Sequence, residues 1–97
     1  MDKVIYYNDL YDLYGSLLTK RQQEYFQDYY FNNLSFSEMA SNYGVSRNAV
    51  FKQVHIVLDK LEEYESKLGL FNKKKVILDI SNKIKDDNLK DVLQNLF

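Results

Sequence analysis

The chain has 97 residues, 45% of them hydrophobic and 15% aromatic, with nine Tyr, six Phe and no Cys or Pro. A net charge of −1 argues against a strong non-specific nucleic-acid binder, which is usually basic, and the absence of Cys excludes a disulfide framework and a thiolate metal site. No run of about eighteen apolar residues occurs and the N-terminus lacks the charged-then-apolar layout of a signal peptide, so no membrane span is expected and a cytosolic protein is.

Glycine stands only at positions 15, 44 and 69, so helix breakers are few and long helices are favoured. The expected fold is all-α, with five or six helices in one domain over 1–97. Within it, a helix-turn-helix core occupies 18–68 and C-terminal helices occupy 70–97.

Tyr7, Leu10, Tyr14 and Leu17 recur at helical spacing and predict a first helix over roughly 6–17, slightly weakened by Gly15. Thr19 is placed to cap a second helix over roughly 20–32, in which Tyr25/Phe26 and Tyr29/Tyr30 fall one turn apart. Asn32 and Asn33 make the turn that follows.

The next segment, 35–54, reads as a helix-turn-helix. Ser35 and Glu38 have the spacing of a capping box. Phe36, Met39, Ala40 and Tyr43 give an inward face, and Ala40 is small enough for a second helix to cross closely. Gly44 falls where a left-handed residue must end the first helix. Val45 is expected to be buried in the turn. Ser46 caps the second helix, with Val50 and Val54 inward and Arg47, Asn48, Phe51 and Lys52 on its exposed first turns.

That helix runs on. Val50, Val54, Val57, Leu61, Tyr64 and Leu68 recur at heptad-like intervals, predicting one helix over about 46–68. Roughly two and a half heptads are short for a coiled coil, so packing within the chain is favoured over a homodimer seam. The expected partner is a helix over roughly 72–84 with Val76, Ile77, Ile80 and Ile84 inward. A last helix over roughly 87–97, capped by Asp86 or Asp87, would present Leu89, Val92, Leu93, Leu96 and Phe97. Charge is uneven: Lys67, Lys73, Lys74, Lys75, Lys83 and Lys85 face Asp79 alone over 67–85, whereas Asp59, Glu62, Glu63 and Glu65 outweigh Lys60 over 59–65.

From Leu18 to Leu68 the chain resembles region four of bacterial sigma factors. The likeness rests on Leu18-Thr19-Lys20-Arg21-Gln22, Leu34 to Ala40, Gly44-Val45-Ser46-Arg47, His55 and Leu61. In that family this layout reads a promoter element, and a winged-helix-like setting for the motif enters the expectation. A more specific resemblance, over about 7–80, is to the YlxM-like family of small helix-turn-helix proteins. It is carried by residues 11–19, Tyr29-Tyr30, 45–50 and 61–68. That resemblance implies a cytosolic protein encoded beside components of the signal recognition particle, with a regulatory or accessory role in that pathway. Its partners would be DNA, signal recognition particle RNA or a protein of the pathway.

Three classes of function compete on the residues themselves. For nucleic-acid contact, Arg47 suits guanine or phosphate, Asn48 adenine or phosphate, and Lys52 phosphate, with Ser46 and Phe51 in the same turns. Only one Arg stands there, and the acidic 59–65 stretch of the same helix repels a phosphate backbone, so such binding is expected to be weak or partner-assisted. The 67–85 lysines are a second candidate phosphate contact or a solvated face. For protein binding, Phe51, exposed Tyr and the heptad seam offer apolar surface for a partner or a second copy. Catalysis is the weakest class: His55 is the only His, no nucleophile elbow or phosphate-cradling glycine loop is present, and no catalytic residue, metal or cofactor is expected.

Overall fold

The computed structural model describes residues 2–83, 91, 92 and 95. Among them, five α-helices follow one another: α1 (Asp2–Tyr14), α2 (Lys20–Tyr30), α3 (Phe36–Tyr43), α4 (Arg47–Leu68) and α5 (Leu70–Lys83), with a 3-10 turn at Gly15–Leu17. The fold is all-α. No strand occurs among the described residues, which corrects the winged-helix-like expectation. The expected last helix falls largely outside the described residues; within it, the Asn95 N–H donates to the Asp91 carbonyl at 3.1 Å.

α1 begins before the apolar periodicity does, because Val4 and Ile5 contribute no inward stripe and stay exposed. It ends at Gly15, where the backbone passes so close to Tyr11 that an added Cβ would lie 3.1 Å from the ring. Gln23 Nε2 donates to the Gly15 and Leu18 carbonyls at 2.9 and 3.2 Å, filling acceptors that the helix end leaves open. α2 starts in a full capping box: Gln22 N–H donates to Thr19 Oγ1 at 3.2 Å, and Thr19 N–H to Gln22 Oε1 at 3.0 Å. The turn after it uses Asn33 at φ 54°, a left-handed conformation that Asn tolerates.

Two apolar clusters form, and α4 runs through both. Val50 and Val54 meet Tyr25, Met39 and Ala40; Val57 and Leu61 meet Leu10, Tyr14, Leu18 and Phe26. The α4 seam is therefore covered within the chain as far as Leu61. Its second half packs on α1, and α5 also packs on α1, with Tyr6 and Phe71 edge to face at 5.5 Å. This corrects the expected pairing of α4 with the C-terminal helix. The inward face of α5 is corrected in part: Ile77 is partly buried as expected, together with Phe71 and Leu78 and the fully buried Ser81, while Val76 and Ile80 are 48% and 49% exposed. Ile84 lies outside the described residues.

A polar joint holds α5 in place. Leu70 N–H donates to Tyr14 Oη at 2.9 Å, and Phe71 N–H to Glu65 Oε1 at 2.9 Å. Tyr14 O–H itself donates to the same Glu65 oxygen at 2.6 Å. A carboxylate from α4 and a phenol from α1 thus cap the first turn of α5, where Gly69 at φ 63° has no side chain to serve as a local cap. Burial first, then the Glu65 hydrogen bond, raises the Tyr14 phenol above its ordinary range. Burial and the Glu62 charge push Tyr7 up to about 12.

Candidate nucleic-acid interface

The helix-turn-helix is fixed by three local devices. Glu38 N–H donates to Ser35 Oγ at 3.0 Å and Ser35 N–H to Glu38 Oε1 at 3.1 Å, the capping box that starts α3. Gly44 adopts φ 68°, and the Val45 N–H returns to the Ala40 carbonyl at 3.1 Å, closing a Schellman turn. Ser46 Oγ accepts the Ala49 N–H at 3.0 Å, so α4 begins immediately after the turn. Val45 is not buried: it stands on the outer elbow, 42% exposed. The hydrogen bond to Ala40, rather than burial, holds it there, which corrects the expectation.

With Val50 and Val54 turned inward, the outward side of the first turns carries Arg47, Asn48, Phe51 and Lys52, all exposed, behind an exposed Ser46. Four-residue spacing arranges this surface in two stripes, Arg47–Phe51–His55 and Asn48–Lys52–Ile56. Among the described residues neither Arg47 nor Lys52 enters an ion pair. The Arg47 guanidinium lies 5.7 Å from the centre of the Phe36 ring. Phe51 meets that ring edge to face at 5.8 Å and the His55 ring at 4.1 Å. His55 Nδ1 is 2.9 Å from the Phe51 carbonyl. A carbonyl can only accept, so Nδ1–H donates and Nε2 is left as the accepting edge of the neutral ring.

Chemically, this surface offers two fixed cations, one amide side chain able to pair with a base edge, and the positive end of a 22-residue helix. Its extent is limited by acid. Asp59 continues the Arg47–Phe51–His55 stripe, and Glu62 and Glu63 are exposed one turn on. Glu63 is neutralised in part by Lys67 at 2.8 Å, which holds its carboxyl below the usual range. Lys74 and Lys75 line an open groove of about 360 Å³ with Asp9, Leu13, Phe71 and Leu78 between α1 and α5. Lys85 lies outside the described residues. Among the described residues no three His, Cys, Asp or Glu side chains gather as metal ligands, and no helix is long and apolar enough to cross a membrane.

The sequence model of the UPF0122 family, described as "Putative helix-turn-helix protein, YlxM / p13 like", matches residues 1–96. The chain belongs to this family. A UPF0122 protein of Malacoplasma penetrans is 43% identical over 84 residues, covering 87% of this chain and 78% of the relative. One from Fusobacterium nucleatum is 34% identical over 100 residues, covering 99% and 97%. One from Staphylococcus carnosus is 41% identical over 71 residues, covering 73% and 64%. These relatives give the UPF0122 chain its family and its motif; none of their names states a ligand.

Two residues beside the sequence-derived set belong to the same surface. Phe36 reads as an inward residue of α3, yet it is only partly buried and supplies the ring on which Arg47 and Phe51 rest. His55, which the sequence leaves either on the helix surface or against the core, is exposed, at four-residue spacing from Phe51.

Proposed function

We propose that this UPF0122 protein is a non-enzymatic, cytoplasmic nucleic-acid-binding accessory or regulatory factor that uses the first two turns of α4. The observation that carries the reading is the capped start of α4, with Arg47, Asn48 and Lys52 exposed together on a turn fixed by Ser35, Gly44 and Ser46. Arg47 and Lys52 would hold phosphates, and Asn48 would meet a base edge or phosphate. The likeness to YlxM proteins directs attention to signal recognition particle RNA as well as to duplex DNA. With so few cations, binding would be modest and strongly salt-dependent. Titration of the wild type and Arg47→Ala/Lys52→Ala against both nucleic acids at low salt tests it. Equal and negligible binding by the two proteins would sink the reading.

A second reading rests on α5. Val76 and Ile80 there, with Leu68 at the end of α4, leave apolar surface exposed for a protein partner of the pathway or a second copy of the chain. Sedimentation over a concentration range would show a mass that rises with concentration if a second copy binds.

A further inference from the structure

We infer that the aromatic face beside the start of α4 takes unpaired nucleobases, so that the preferred ligand is a single-stranded or looped segment rather than a regular duplex. The inference rests on the nucleic-acid reading above and deepens it. Rings from three helices form a continuous ladder. Tyr30 meets Tyr29 at 5.0 Å, and Tyr29 stacks on Phe36 at 4.8 Å and 18°. Phe36 meets Phe51 at 5.8 Å, and Phe51 meets His55 at 4.1 Å. The ladder borders an open groove of about 360 Å³ lined by Tyr29, Tyr30, Phe36, Val54 and His55. Phe51, the rung between Phe36 and His55, stands beside the groove and is 42% exposed, with Arg47 one turn before it and Lys52 next to it in the chain.

Phe51 stands in the middle of the stripe that a helix-turn-helix would lay into a duplex groove, and its ring can neither donate nor accept a hydrogen bond to a base edge. A flat ring with cations beside it instead matches the way single strands are held, by stacking along a basic track. The charges fit the same path. Lys3 and Asp59 also line the groove, and Asp59 lies about three turns along α4 from Arg47. Asp59 turns phosphates away and can accept a hydrogen bond from a base amino group, so the strand's backbone belongs on the Arg47–Lys52 side and its bases in the groove. Two or three cations make few phosphate contacts, and stacking must supply the remainder of the affinity.

The test is fluorescence anisotropy with one labelled oligonucleotide sequence in four forms: single-stranded RNA, single-stranded DNA, DNA duplex, and a single strand with abasic sites. The wild type, Phe51→Ala, Phe51→Leu and Arg47→Ala/Lys52→Ala are compared. Phe51→Leu keeps the apolar contact with Phe36 but removes the flat ring. The expected result is tighter binding of a single strand than of the duplex, with either Phe51 variant losing roughly 5- to 150-fold on the single strand. The abasic strand should bind wild type as weakly as the intact strand binds Phe51→Ala. Any difference between the RNA and DNA strands identifies which unpaired nucleic acid is preferred. Duplex binding as tight as single-strand binding, or Phe51 variants that match wild type while Arg47→Ala/Lys52→Ala fails, would overturn the stacking inference and leave the broader reading standing. No binding of any form would overturn both.

Discussion

The two ends of α4 use their charged residues differently. At its C-terminal end, Glu63 pairs with Lys67, and Glu65 caps α5 together with Tyr14. Glu65 and Tyr14 join α4, α1 and α5, whereas the exposed Glu63–Lys67 pair stays within one helix. At its N-terminal end, Arg47, Asn48 and Lys52 stand in solvent, and among the described residues no ion pair engages them. One helix therefore serves as a structural spine where it crosses α1 and as a presented surface where it leaves the turn. Substitutions at the spine should therefore change stability, and those at the presented surface should change binding.

The largest effect is expected at the spine. Leu61→Ala removes a fully buried side chain beside Leu10, Tyr14 and Phe26, and should cost about 2–5 kcal/mol in denaturant unfolding. Glu65→Ala leaves the Phe71 N–H and the Tyr14 hydroxyl without their acceptor, and should cost about 1–3 kcal/mol. Amide exchange should then rise first across α5, because that is the helix Glu65 ties down.

Two phenols of α1 give a pH signature. The phenols of Tyr7 and Tyr14 ionise at higher pH in the fold than their ordinary value of 10.0, because burial favours the neutral form. A group with a raised folded pKa lends stability that is whole below its unfolded pKa and is lost as pH climbs to the folded one. Stability should therefore fall between pH 10 and about 12, followed by circular dichroism at constant denaturant. Gly44→Ala places a Cβ at φ 68° with open space around it, so backbone strain alone should cost about 1–2 kcal/mol. Smallest of all, Arg47→Ala/Lys52→Ala should change stability by no more than about 0.5 kcal/mol per site while weakening binding.

The capped helix starts at Ser35 and Ser46, the left-handed Gly44 and the inward Val50 and Val54 are legible from the chain, because each depends on neighbours within a turn or two. What α5 buries was legible only at Ile77. Val76, Ile77, Leu78 and Ile80 wrap apolar surface most of the way around that helix, so periodicity cannot choose a face. The choice is made by Phe71 meeting Tyr6 of α1, a contact across 65 positions of sequence. The Glu65 cap was hidden for the same reason: its acidic neighbours make it read as one more solvated charge, and only the fold brings Tyr14 and the α5 amides to it. At the candidate interface, Arg47, Asn48, Phe51 and Lys52 follow from helix phase. The contribution of Phe36 does not, since it depends on how α3 crosses α4.

We propose that the start of α4, and not the lysine-rich α5, meets nucleic acid. The direct measurement is binding as a function of salt for the wild type, Arg47→Ala/Lys52→Ala, and Lys73→Ala/Lys75→Ala as the distal control, with every probe at the same concentrations. The first variant should lose affinity and its log–log salt dependence should become shallower by about one to two, while the distal variant should follow the wild type. A wild-type curve for Arg47→Ala/Lys52→Ala, with the loss appearing in Lys73→Ala/Lys75→Ala, would contradict it.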